Sequence, residues 1–377
     1  MRWTLLILTM LMGWATATAQ DSLQTERLRT EMQKADILQT DTVKKQHEIG
    51  IIRETIRGFD RTEDDYIEPQ HYEFTVMGQV TRTYENFVLS SNGQSIRLAP
   101  DRQTKVGPYF GWRWFFFGYM FDIKNIGFSQ NGLRKSFDLS IYSSQVGVDI
   151  FYRRTGDDYK IRDVDLDGVD GSLFEGMPFA GVNVGITGVS AYYIFNHGRF
   201  SYPAAFSQST CQKISCGSWL AGAGYTHNTL DMDYEELEKA LNSRMSGGQE
   251  LKLDSGMMFK DIQYNDFIIS GGYAYNWVFA KNCLFCASAQ LALTYKTSWG
   301  KVADEKQGFD FAKVNLDGIW RFGLVYNNTR WYVGASAIFR SNNYRSSRFK
   351  ANNMFGSLNA YIGYNFVLKK KYKKNKT

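Results

Sequence analysis

Proline is scarce, 5 in 377 residues, where ordinary usage is ~5%. Each proline removes a ladder donor, so its scarcity permits long, uninterrupted strands. Long apolar runs are missing as well: no segment supplies the ~20 residues of a membrane helix, and mean hydropathy is −0.36. A helical membrane protein is therefore excluded. Wholesale disorder is excluded too, because aromatics reach 16%, with 9 Trp, 23 Tyr and 27 Phe. No nucleophile–base motif, phosphate-cradling loop or complete metal triad stands out, which leaves little to suggest an enzyme.

Met1 to Ala19 reads as a secretory signal peptide. Arg2 is the charged start, Leu5 to Trp14 the apolar stretch, and Ala17-Thr18-Ala19 the small-x-small cleavage site. No cysteine follows that site, so a lipoprotein is not expected. An exported chain without a helical anchor is periplasmic, secreted or an outer-membrane barrel. The formal charge is +6, and Lys369 to Thr377 alone carries six lysines. Without an accompanying aromatic-basic stripe, that run is a solvated basic tail and not a nucleic-acid site.

Residues 20–70 are polar and helix-favouring. Ile49, Ile52, Ile56 and Phe59 place one apolar stripe on a helix that ends near Gly58 and Asp60. The plain reading is an amphipathic periplasmic helix packed on the main domain; the functional one is a plug or partner helix.

From about Tyr72 the period changes to two. Trp331, Val333, Ala335, Ala337 and Phe339 alternate with Tyr332, Gly334, Ser336, Ile338 and Arg340. Leu316, Trp320, Phe322, Leu324 and Tyr326 alternate with Asp317, Ile319, Arg321, Gly323, Val325 and Asn327, and Phe267 to Phe279 and Ala360 to Leu368 follow suit. These segments exceed the ~5–6 residues of soluble strands, and their apolar, aromatic face suits lipid. The expected fold is all-β: an antiparallel transmembrane β-barrel of about twelve strands over residues 71–368. The expected spans are 73–90, 95–114, 115–124, 136–144, 146–161, 179–196, 211–227, 257–280, 283–299, 309–326, 331–344 and 353–368. Short turns alternate with long polar loops, the outer-membrane arrangement, which puts both termini in the periplasm. The connection 197–210 breaks the rule by being long on the short-turn side. Gly363-Tyr364-Asn365-Phe366-Val367-Leu368 matches the terminal signal read by barrel-assembly machinery, although a tail follows it.

Further residues carry a resemblance. They are Phe59-Asp60, Asp64-Asp65-Tyr66-Ile67-Glu68-Pro69, Gly107-Pro108-Tyr109-Phe110-Gly111-Trp112-Arg113-Trp114 and Tyr193-Ile194-Phe195-Asn196. Arg199-Phe200-Ser201-Tyr202, Ala204-Ala205-Phe206, Gln208, Gln212, Ser215 and Gly217-Ser218 complete the run. Over roughly residues 59 to 368 the chain resembles a Bacteroidetes outer-membrane barrel family known as a domain of unknown function, DUF4421. The resemblance implies an outer-membrane barrel and a Bacteroidetes source. It implies no activity, and the cysteines stand outside its pattern.

Asp163, Asp165, Asp167 and Asp170 flank Gly168 in a spacing like the first half of a calcium loop. The twelfth position is Phe174, with Glu175 one residue late. An acidic surface loop is the plain reading and a weak Ca²⁺ site the functional one; no other cofactor is expected. Cys211 and Cys216, with Cys283 and Cys286, fall at strand starts, where residues three or five apart face opposite sides. Packed thiols, disulfides or a metal remain open. The histidines are His47, His71, His197 and His227; of these, His227 near Asp231 and Asp233 is the one candidate general base, in what otherwise reads as a loop histidine beside a helix cap.

Arg113, Asp122, Lys124, Asp149, Arg153, Asp317, Arg321 and Arg340 fall on inward phases. Both signs occur, so salt bridges are expected to fill a narrow lumen, with Arg321 near Asp317 and Asp149 near Arg153. The function this supports is non-enzymatic: small-ligand binding or passage, or envelope support. Outer-membrane lipid and lipopolysaccharide are the expected surroundings, and no particular small molecule is indicated. The alternatives are an adhesion or interaction protein working through long loops, and a lipid or peptide hydrolase.

Overall fold

The computed structural model describes residues 62–112, 115–123, 135–154, 158–166, 169–245, 251–254, 259–302, 308–345 and 349–373. Residues 1–61 lie outside that description, and with them the signal peptide, the apolar stripe and His47. Everything below concerns the unit that begins at Arg61.

Its strands are β1 (Ile67–Pro69), β2 (Tyr72–Ser91), β3 (Gln94–Pro100), β4 (Thr104–Trp112), β5 (Phe115–Gly118), β6 (Phe121–Asp122), β7 (Lys135–Tyr142), β8 (Val146–Arg154) and β9 (Tyr159–Asp165). There follow β10 (Val182–Ile194), β11 (Thr210–Gln212), β12 (Cys216–Met232), β13 (Phe259–Ala280), β14 (Cys283–Val302), β15 (Gly308–Asn327), β16 (Trp331–Arg345) and β17 (Lys350–Leu368). The helices are α1 (Tyr202–Phe206), α2 (Tyr234–Asn242) and α3 (Lys370–Lys373). The sheet is antiparallel, and its hydrogen-bonded path of twelve strands runs β5-β4-β2-β17-β16-β15-β14-β13-β12-β10-β8-β7. Pairing of β17 with β2, from Lys350↔Ser90 to Leu368↔Tyr72, joins the two ends of the chain's strand series.

Four expected strands are each split: 115–124 into β5 and β6, 211–227 into β11 and β12, and two more as follows. Residues 95–114 form β3, which pairs with the top of β2 and with β9, and β4, which pairs with the lower part of β2. Likewise 146–161 divides into β8 and β9. Alternation continues through both halves, so periodicity alone does not reveal that the partner changes. The folded unit also begins before residue 71, because β1 pairs with β11. The basic tail is partly docked: the Lys369 ammonium donates to the Gln70 carbonyl at 2.7 Å, and His71 and Tyr372 lie 4.1 Å apart.

One sheet face is an apolar belt, with Val76, Val80, Ile269, Leu291, Leu293, Leu316, Leu324, Val333 and Ile362 all exposed. Toward the short-turn end that belt becomes aromatic, through Trp331 with Tyr364 at 4.5 Å, Trp277 with Phe279 at 5.4 Å and Phe74 with Phe366 at 5.6 Å. At the long-loop end the opposite face carries the main apolar core, including Phe87, Leu89, Ile96, Leu98, Tyr159, Ile161, Phe174, Phe179 and Phe355. Helix α2 joins it because Asp233 caps its start, accepting from the Glu236 amide at 2.9 Å, and Leu237 and Leu241 share one buried face.

Candidate functional site

Three layers occupy the inner face of the sheet. Nearest the short turns is the long connection 196–215. It folds back as α1 and β11, so that Phe200, Tyr202, Ala204 and Ala205 pack with Tyr192, Ile194, Leu220, Ala274, Leu284 and Cys286 from the strands. Ser201 caps α1 by accepting from the Ala204 amide, and Pro203 suits the first turn. Amides then tie the segment down. The Asn276 side chain donates to the Ser201 carbonyl at 2.9 Å and to Gln212 at 3.0 Å, while Gln212 donates to the Arg199 carbonyl at 2.6 Å and accepts from the Ser201 amide at 2.9 Å. Gln208 donates to the Tyr361 hydroxyl at 2.7 Å, and Tyr202 and Ser288 hydroxyls meet at 2.5 Å. Gly323 leaves room for α1, since a Cβ there would lie 3.3 Å from the Ala205 carbonyl oxygen. The residues of the sequence resemblance between Asn196 and Ser218 are thus those that build this plug.

Above it lies the charged layer. Arg321, fully buried, reaches Asp149 at 2.5 Å, and Arg340 meets the same carboxylate oxygen at 3.0 Å. The Ser140 hydroxyl donates to the other oxygen at 2.6 Å. Arg321 lies 4.9 Å from the centre of the Tyr192 ring and Arg340 5.0 Å from that of Phe151. The Tyr192 ring in turn lies over Gly147, where a Cβ would come within 2.1 Å of it. Arg153 pairs with Asp138 at 3.1 Å. A second group forms around Lys296, which meets Asp266 at 2.8 Å and Asp317 at 3.6 Å. Thr226 and Asn228 also donate to Asp266, and Thr294 to Asp317.

Asp149, Arg153, Asp317, Arg321 and Arg340 are all buried on the inner face, as their phases predict. Their partners differ from the expectation. Arg321 bonds Asp149 and not Asp317; Asp149 bonds Arg321 and Arg340 and not Arg153. Residues four apart along a strand are ~13 Å apart, too far for a contact, whereas curvature of the sheet brings β8 opposite β15 and β16. Lys296 and Asp266 were missed, although their positions beside outward Tyr295 and Phe267 signal an inward phase. Asp122 pairs in register with Lys105, and Arg113 and Lys124 lie outside the described residues.

A separate feature lies outside the lumen. Arg82, Tyr84 and Asn86 continue the outward face of β2 beyond Val76 and Val80, and with Glu85, Arg97, Ala99, Pro100, Asp101, Arg102 and Arg162 they line a groove of about 480 Å³. Asp101 accepts from Lys160 at 2.7 Å and Arg162 at 2.9 Å. The Lys160 hydrogen bond, foremost, holds its carboxyl below the usual range. Arg97 pairs with Asp163. Among the described residues Arg82 and Arg102 have no acidic partner.

The aspartate series is spread out. Asp163 and Asp165 share a face of β9, Asp170 accepts from the Ser172 amide at the start of a short 3-10 turn, and Asp167 lies outside the described residues. Among the described residues no three acidic, histidine or cysteine side chains come close enough to hold a metal. All four cysteines are unpaired. Cys286 packs against the plug, and burial pushes the Cys211 thiol up to about 12. His227 bonds Asn265 at 2.8 Å, while Asp233 caps α2.

An antiparallel sheet that curls from β5 to β7 through the β2–β17 pairing, apolar on one face and plugged and ion-paired on the other, defines the β-barrel class with an occupied inner face. The chain belongs to the family described as Domain of unknown function (DUF4421), whose profile matches residues 61–366. No curated protein matches it. Among solved structures it is similar to the outer membrane protease OmpT from Escherichia coli, at 8% identity and a TM-score of 0.34, over 80% of this chain and 97% of that one. It is also similar to the translocator domain of the autotransporter NalP from Neisseria meningitidis, at 9% identity and a TM-score of 0.32, over 86% and 98%. The outer membrane protein OprG from Pseudomonas aeruginosa follows at 9% identity and a TM-score of 0.22, over 79% and 98%. None of these likenesses bears on this chain's activity.

Proposed function

We propose that this protein is an exported, non-enzymatic outer-membrane barrel that supports the envelope by holding anionic glycolipid of the outer leaflet. The carrying observation is the outward face of β2. There Val76 and Val80, in the apolar belt, are followed on the same face by Arg82 and the four-arginine groove. Lipid tails fit the belt, and phosphates directly above it would meet Arg82 and Arg102, which have no carboxylate partner among the described residues. The short-turn end, with its aromatic girdle and both strand termini, then faces the periplasm, and a Bacteroidetes source agrees with the family. Insertion would use barrel-assembly machinery acting on the β17 signal. Passage of solutes is disfavoured, because the plug, the ion pairs and the apolar core fill the inner face. The aspartate loop stays a weak Ca²⁺ site at most.

The test is extraction with native lipid. The mature protein should fractionate with the outer membrane, migrate faster unheated than boiled, and carry lipopolysaccharide through purification. Arg82→Glu with Arg102→Glu should lose that lipid while keeping its heat-dependent mobility. Recovery as a soluble periplasmic protein, or equal lipid retention by the double variant, would overturn the reading.

A further inference from the structure

Between the plug and the apolar core the charged layer borders a partly open cavity of about 30 Å³, lined by Ser190, Tyr192, Gln290, Arg321, Arg340 and Asn342 among others. Its polar lining is lopsided. The Tyr192 hydroxyl, Ser190 Oγ, Gln290 Nε2, Arg321 Nε and Nη1, Arg340 Nε and Asn342 Nδ2 are buried atoms with no protein partner. Four of the side chains that carry them are themselves buried: Arg321 is 0% exposed, Gln290 2%, Tyr192 3% and Arg340 7%, with Ser190 and Asn342 half-buried. Every one of these atoms can donate a hydrogen bond, and the three arginine nitrogens can do nothing else.

Both oxygens of each nearby carboxylate are already engaged. Asp149 takes Arg321 and Arg340 on one oxygen and Ser140 on the other. Asp317, also on the lining, takes Thr294 and Lys296 on one oxygen and the Asn343 amide on the other. Two guanidiniums therefore share one carboxylate, and this side of the layer carries one uncompensated positive charge. The group around Lys296 carries the balancing negative charge, with two carboxylates to one ammonium.

A cavity of this size admits about one or two water-sized particles. A neutral water accepts two hydrogen bonds but must place its own two hydrogens, and this lining offers few free acceptors. An anion accepts from every side and cancels the local charge. A buried unpaired guanidinium donor is costly, and charge-assisted hydrogen bonds are the strong kind. We infer that the mid-barrel cavity is a binding site for one small monovalent inorganic anion, of the halide class, held by Arg321 and Arg340 with Tyr192, Gln290 and Asn342 closing the shell. The anion joins β10, β14, β15 and β16 through one shared ligand. This inference does not rest on the membrane reading, because the site is internal to the fold.

The test uses the mature protein refolded in detergent, in sodium bromide or in sodium gluconate at equal ionic strength, gluconate being too large for the cavity. Bromide should raise the unfolding midpoint in a saturable manner. Crystals grown in bromide should show an anomalous peak within hydrogen-bonding distance of Arg321 Nε and Arg340 Nε. Arg340→Gln should weaken bromide binding roughly tenfold or more. Should that variant not fold, Asn342→Asp serves in its place: it supplies a built-in carboxylate and should abolish the difference between bromide and gluconate in a folded barrel. Equal midpoints in the two salts, or a bromide map with only water between the arginines, would overturn the inference. So would an Asn342→Asp variant that stays folded and keeps the full bromide effect.

Discussion

Removing Arg321 is the sharpest perturbation of the charged layer. Arg321→Ala takes a guanidinium from a site that is 0% exposed and leaves Asp149 with fewer partners. Breaking a buried ion pair costs about 3–5 kcal/mol. Asp149 keeps Arg340 at 3.0 Å and Ser140 at 2.6 Å, which points to the lower end of that range. Loss of the guanidinium from beside the Tyr192 ring adds about 1 kcal/mol. The sum is about 4 kcal/mol, a shift of about 2 M in urea midpoint if the slope is about 2 kcal/mol per M. The assay is urea unfolding of the refolded barrel, followed by tryptophan fluorescence and by unheated gel mobility. Arg321→Met should recover part of the loss by restoring bulk. Adding Asp149→Asn to Arg321→Met should bring no further recovery, since Arg340 then loses its carboxylate partner, and a double-mutant cycle should give a coupling above about 1 kcal/mol. An Arg321→Ala protein with an unchanged midpoint, or a cycle with no coupling, would refute the reasoning.

The plug should behave as part of the fold: Gln212→Leu strips partners from the Ser201 amide and the Arg199 carbonyl and should cost about 1–3 kcal/mol in the same unfolding assay. In planar bilayers the wild type should show no steady porin-sized conductance, and a deletion of residues 199–213 that still folds should show more. Calorimetry should find weak Ca²⁺ binding at most in the aspartate loop; sub-micromolar affinity lost in Asp165→Ala would count against this. Asp101, held below the usual carboxylate range by Lys160 and Arg162, contributes stability that is present above about pH 4 and fades as pH falls through its lowered value. The midpoint difference between wild type and Asp101→Asn should therefore shrink from about pH 7 to about pH 3, and a constant difference would exclude a role for its charge.

Alternation alone determined much of this protein. A strand turns successive side chains to opposite faces, so Leu316-Asp317 or Trp320-Arg321 reveals which residue meets lipid and which the interior without any knowledge of neighbours. The twelve-strand path, most strand ends, the short turns after Ala280 and Asn327, and the inward phases of Asp149, Arg153, Asp317, Arg321 and Arg340 all follow from that local rule. Partners do not. Arg321 and Asp149 are 172 positions apart, and only the curvature and register of the sheet bring them together. Lys296 shows the same limit, since its phase was readable but its place between Asp266 and Asp317 depends on three strands at once. The 196–215 connection is the clearest case. Its length on the short-turn side was visible as an anomaly, but a run such as Phe200-Ser201-Tyr202 has no period to show that it turns inward. Only the tertiary structure decided that, because the apolar surface of Phe200, Tyr202 and Ala205 finds its complement in Tyr192, Leu220 and Cys286, side chains supplied by strands on either side of it.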